Sequence, residues 1–200
     1  HSECLNLLLK AKVNPMAVEP IADLTPLHFA TLKNAVECAR LLLEAKANPN
    51  AIRRHKRYTP ILWAAHHNCV EILKMLLDAR GDPDAGTVTG VTPLHVAAQE
   101  KHIDCLRVLL AANASPHTAV LFNGWTPVDS AGAMLHSESL ELLYDAGARR
   151  CARSRKPLDV TKVGKDLDNG AIVRDRAPDD NPFMVNAATA SSSNQSTPTL

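Results

Sequence analysis

Two hundred residues, with 22 basic and 21 acidic side chains, form a nearly neutral chain, so no whole-chain field steers it to nucleic acid or to a membrane surface. Hydrophobic residues make up 46% of the sequence, too many for full disorder, while aromatics are only 4%, which implies a core of Leu, Ala, Val and Ile in stacked helices rather than a β-sandwich. Five scattered cysteines without a CxxC argue against a secreted disulfide framework and against a zinc ribbon, and no run of about 18 apolar residues is present to cross a membrane.

The chain begins at His1 and enters a helical pattern at once, which reads as part of a longer protein. From there it repeats. Thr-Pro occurs at 25–26, 59–60, 92–93 and 126–127, at intervals of 34, 33 and 34. Each pair opens a helical stretch (TPLHFATLKN, TPILWAAHHN, TPLHVAAQEK, TPVDSAGAML), and a second apolar run follows each one (VECARLLLEA, VEILKMLLDA, IDCLRVLLAA, SESLELLYDA). Turn phrases such as KANPN, RGDPD and NASPH close the units. The opening ECLNLLLKAKVNP fits the second half of one further unit, with Leu7, Leu8 and Leu9 in the register of Leu41, Leu42 and Leu43.

Each feature has a local cause. The Thr hydroxyl caps the first helix, and Pro at the first helical position lacks an N–H that would be unpaired there anyway. Small residues (Ala30, Ala64, Ala65, Ala97, Ala98, Ala131) let paired helices approach closely. The Leu rows form the inner face of the second helix, and Asn-Pro or Asp-Pro ends it. One such unit cannot bury its own apolar face, whereas stacked units can.

The TPLH tetrads at 25–28 and 92–95, the paired Ala, the LLL-x-A run and the period together resemble the ankyrin repeat over roughly residues 1–149. The resemblance implies an all-α solenoid of helix–turn–helix units with β-hairpin-like turns: a partial repeat at about 1–15, then repeats starting near 21, 54, 87 and 121. It also implies hydrogen bonds from His28 and His95 that tie neighbouring Thr-Pro turns. The family places Gly after the second helix, where φ is positive. That slot here holds Lys12, Lys46, Arg80 and Asn113, with Gly only at 147, and each non-Gly occupant costs on the order of 1 kcal/mol. Asp129 and Ser130 depart from the pattern in the last repeat, which makes it the weakest repeat or a C-terminal cap. Residues 150–176 show no repeat, with a hairpin signal within 156–174, and 177–200 reads as a disordered tail.

No catalytic constellation appears, so the chain reads as a non-enzyme without a cofactor or a metal. His66 and His67 are adjacent and point about 100° apart on a helix, unlike i,i+4 metal ligands. Cys4, Cys38 and Cys105 share one register, filled by Ile72 in another repeat, and are expected to be small buried hydrophobes.

The function implied by the resemblance is protein binding on a concave surface of turn tips and first-helix positions. The tips bring Leu24, Tyr58, Phe122 and Trp125. The first helices bring Leu32 and Lys33, then His66 and His67, then Gln99, then Met134. Two readings stand for Tyr58 and Trp125: they face a partner, or they pack sideways under the next turn. Two also stand for the run Arg53, Arg54, His55, Lys56 and Arg57: a solvated loop, or an anchor for an acidic segment. The expected partner is another protein carrying an acidic or apolar segment, bound by a monomer inside the cell, in the cytoplasm rather than the nucleus. The turn phrases and the CLRVLL helix are also similar to those of ankyrin substrate receptors of cullin ubiquitin ligases, although their SOCS box has no counterpart in 151–200. A third reading is the regulatory part of a larger enzyme or channel.

Overall fold

The computed structural model describes residues 2–19, 23–53, 57–121 and 124–148. Among these residues the chain forms α-helices and no strands: α1 (Ser2–Lys10), α2 (Pro26–Leu32), α3 (Val36–Glu44), α4 (Pro60–His66), α5 (Val70–Asp78), α6 (Pro93–Gln99), α7 (Ile103–Ala111), α8 (Pro127–Ala133) and α9 (Ser137–Asp145). The even-numbered helices have 7 residues and the odd-numbered ones have 9. Each short helix packs on the long one that follows it. The short helices also pack on one another in series, as do the long ones, so the repeats build a two-layer all-α stack. The hairpin expected within 156–174 and the disorder expected at 177–200 lie outside the described residues.

Thr25, Thr59, Thr92 and Thr126 cap the four short helices in extended backbone conformation, each with Pro next in the chain. Their hydroxyls do not all act alike. His28 Nδ1 takes hydrogen bonds from the Thr25 N–H (3.2 Å) and hydroxyl (2.9 Å), and His95 Nδ1 does the same with Thr92 (3.2 and 2.8 Å). An Nδ1 that accepts leaves the proton on Nε2, and that N–H donates to the carbonyl of Tyr58 (3.1 Å) or Trp125 (3.0 Å) in the next repeat. In TPIL, Leu62 offers no ring, and only the bond from the Leu62 N–H to Thr59 Oγ1 (3.3 Å) is kept. In the last repeat Asp129 accepts from the Thr126 N–H (3.0 Å) and hydroxyl (2.8 Å), reproducing the cap.

The core follows the register. Leu42, Leu76, Leu109 and Leu143 are fully buried, and the Ala residues between helices are nearly so. Dense packing makes each such Leu worth about 2–5 kcal/mol against Ala.

Positive φ recurs in three registers. After the long helix, Lys12, Lys46, Arg80, Asn113 and Gly147 lie at 59–81°, the register expected for the family's Gly. Two further registers carried no sequence expectation: Asn34, Asn68, Lys101 and Leu135 between the two helices (47–58°), and Asp23, Arg57, Gly90 and Gly124 just before Thr-Pro (55–85°). Asn and Gly suit this conformation, whereas Lys, Arg and above all Leu135 hold it under strain supplied by the packed helices on either side. The single 33-residue interval also has a place. The hairpins close from Arg53 to Tyr58 and from Val120 to Trp125, but from Thr87 to Val91 in the third, one residue shorter. Gly90 turns that short tip, and a Cβ there would meet Ala119 O at 3.3 Å.

The cysteine expectation needs correction. Cys105 and Ile72 are buried, but Cys38 is half-buried and Cys4 exposed. The slot faces the short helix of the preceding repeat: Cys105 Sγ reaches Ala64 O (4.0 Å) in α4 and Asn68 Oδ1 (3.4 Å) just after it. No such helix precedes Cys38 or Cys4 among the described residues.

Candidate protein-binding face

Register brings equivalent positions of the short helices into rows. Phe29, Trp63, Val96 and Ser130 form one, Leu32, His66, Gln99 and Ala133 a second, and Lys33, His67, Glu100 and Met134 a third. The side chains of these rows divide by repeat. Val96 and Ser130 are buried, whereas Phe29 is 39% exposed and Trp63 half-buried. Lys33, His67 and Met134 are exposed, and Leu32, His66 and Gln99 are half-buried.

Trp63 is the centre of a ring cluster. His67, one turn on, stacks with it (centroids 5.5 Å apart, planes at 21°), Tyr58 meets it edge-on (6.1 Å, 88°), and His66 lies 4.8 Å from His67. Burial, followed by the neighbouring charges of His67 and His102, lowers His66 to about 4. Burial and His102 lower His67 as well. Both imidazoles are therefore neutral at neutral pH.

The turn tips divide the expected contact residues. Leu24 (7% exposed) and Tyr58 (5%) are buried, so neither is presented to a partner; they support their tips from inside. The cause is the hairpin itself: Glu19 pairs with Leu24 and Arg53 with Tyr58, which turns the residue before Thr-Pro back toward the stack. Burial also raises the Tyr58 hydroxyl pKa. Trp125 is half-buried and its carbonyl anchors His95. Arg53 is half-buried; its charge adds to the burial that lowers His28 and opposes the burial that raises Tyr58, while Arg57 is exposed. Arg54, His55, Lys56 and Phe122 lie outside the described residues.

Sequence reasoning did not place Phe29 or Trp63 among the contact residues; their row position beside Lys33 and His67 was the available signal. It also passed over a set of inter-repeat ties. His102 Nδ1 bonds Ala65 O (2.8 Å) and His136 Nδ1 bonds Ala98 O (3.1 Å), while Cys69 Sγ donates to Thr31 O (3.5 Å) from the same register. Asn50 takes the Asp82 N–H (2.7 Å) and donates to Arg80 O (3.1 Å), and Asp84 takes the Ser115 N–H (2.9 Å). These ties make the rows a rigid support.

No group of three or more His, Cys, Asp or Glu among the described residues is placed to hold a metal ion. Burial raises the Cys69 thiol and pushes Cys105 up to about 12, far from a reactive thiolate. Among the described residues no helix is long and apolar enough to cross a membrane.

A family model described as ankyrin repeats (3 copies) matches residues 1–87 and 80–153. No curated protein matches the chain. With its family model covering most of its length, and with Thr-Pro caps, imidazole bridges and paired helices repeating in register, the chain belongs to the ankyrin-repeat family.

Proposed function

We propose that the stack is a non-catalytic module that binds a segment of another protein across the short-helix rows and the tips beside them. The observation that carries this reading is the row Phe29–Trp63 with Lys33 and His67 alongside: large aromatic, cationic and imidazole groups displayed on rigid helices, the composition of binding hot spots. Ankyrin repeats in general act as protein-interaction modules, and the two-layer stack suits a partner laid across several repeats. We place the protein inside the cell, in keeping with four free thiols at Cys4, Cys38, Cys69 and Cys105.

The test is affinity capture with the full chain and with two sets of variants, followed by mass spectrometry. A partner retained by the wild type should be lost with Phe29→Ser or His67→Ala and kept with Glu37→Ala or Arg107→Ala, which lie on the long helices. Equal retention by all four variants would place binding elsewhere.

A further inference from the structure

We infer that this face takes an acidic segment of its partner, seated on the ledge of Trp63, His66 and His67 and flanked by Lys33, Arg53 and Arg57. The inference rests on the reading of the short-helix rows as the binding face. Charge chooses the occupant. Across the first two full repeats the rows and the second tip carry Lys33, Arg53, Arg57 and two imidazoles; the acids nearby are Glu19 and Asp23 of the first tip, and Glu100 of the rows belongs to the third repeat. An indole with stacked rings could in principle receive a cation, but a cation here would face three fixed positive charges, and a carboxylate would meet complementary ones. Two buried donors point the same way. Among the described residues Arg53 Nε and Trp63 Nε1 have no acceptor, and a carboxylate-rich chain supplies acceptors.

Such an occupant would be linked to protons. The elements packed on α4 are α2, α5 and α6. α2 and its end bring His28, bonded to Tyr58, and Lys33. α5 brings Cys69 at its start, then Glu71, Lys74 and Asp78. α6 and the turn after it bring His95, Glu100, Lys101 and His102. Burial opposes protonation of both His66 and His67, and His102 opposes it further. A carboxylate set against these rings favours the imidazolium form, so the bound state holds more protons than the free state. Affinity therefore rises as pH falls from neutrality, until the carboxylates themselves protonate near their ordinary pKa of about 4. Charge on a ring stacked against Trp63 is further favoured by the indole face.

The test uses the full chain and a labelled ten-residue poly-aspartate, with ten-residue poly-lysine as control. In proton NMR, poly-aspartate should move the His66 and His67 ring signals and the Trp63 indole signal, and poly-lysine should not. Its affinity should strengthen about 3- to 10-fold between about pH 7.5 and about pH 5.5, since one linked proton gives at most about tenfold per pH unit. Ring titration followed in the wild type, with and without the peptide, should show His66 and His67 protonating at higher pH when it is bound; this needs no variant. His66→Gln with His67→Gln should keep the fold, checked by its melting temperature, and lose the pH dependence. Unmoved ring signals, an equal response to poly-lysine, or full pH dependence in the double variant would overturn the inference. If the ledge ignores poly-aspartate while Phe29→Ser still abolishes partner capture, the binding face stands and the acidic occupant falls. If capture is indifferent to Phe29 and His67, the face itself is wrong.

Discussion

Leu8 and Leu109 occupy the same slot of a long helix, yet Leu8 is 52% exposed and Leu109 not at all. The helices α1 and α7 are equal in length and alike in pattern. The difference is that α7 has α6 packed on it, with α5 and α9 on either side, whereas α1 packs on α3 with no short helix of its own among the described residues. In a stack, a side chain's contribution is set by neighbours about one repeat away, not by its own helix.

The strongest way to break this comparison is truncation. Leu109→Ala, or Leu76→Ala in the repeat before, should lower stability by about 2–5 kcal/mol, and Leu8→Ala by less than about 1 kcal/mol. Urea unfolding followed by circular dichroism measures both, and equal midpoint shifts would mean that α1 is as well covered as α7.

Acid is the next probe, because the middle of the stack contains a buried imidazole and the last repeat has Asp129 in its place. Burial lowers His95 to about 4, against an ordinary value of 6.5. The unfolded chain binds the proton first, so this stabilisation is present above about pH 6.5 and is lost as pH falls toward 4, up to about 3 kcal/mol in all. His28, lowered in the same sense by burial, adds to the loss. Protonating Nδ1 also removes the acceptor for the Thr92 N–H and hydroxyl. Urea midpoints across that pH window should fall in the wild type and fall less in His95→Gln. A flat wild-type profile would show that the ring is not buried as a neutral group.

A smaller effect separates strained from unstrained positions. Leu135→Gly should stabilise by up to about 1 kcal/mol, and Lys46→Gly should be neutral or slightly stabilising, because both residues hold positive φ. Destabilisation at both, seen as lowered melting temperatures, would mean that their side chains contribute more by packing than they cost in strain. Least affected should be Arg40→Ala on α3. Its pairs with Glu37 and Glu44 are exposed, and their loss should leave the urea midpoint essentially unchanged.

Legibility in the sequence follows the range of the force involved. The Thr caps, the Pro starts and the left-handed slot after each long helix act within a few residues, and their positions could be read directly from TPLH, TPIL, TPVD and the turn phrases. Leu135 was passed over because positive φ at a Leu has no local signature; the helices on either side impose it. For Tyr58 the sequence left two orientations open, and the hairpin pairing with Arg53 turns it inward. His102 and His136 carry no signal of their role in the sequence, because their acceptors, Ala65 and Ala98, lie 37 and 38 residues earlier in the chain.

The amino-acid sequence by itself determined the period, the helix starts and ends, and the apolar rows, since capping, steric limits on φ and helical spacing are properties of short segments. Only the tertiary structure decided which members of each row are covered. Phe29 and Trp63 remain at the surface while Val96 in the same row is sealed, and Cys4 is exposed while Cys105 is buried. Burial is a relation between repeats, and a row of equivalent residues takes equivalent roles only where equivalent neighbours stand on both sides.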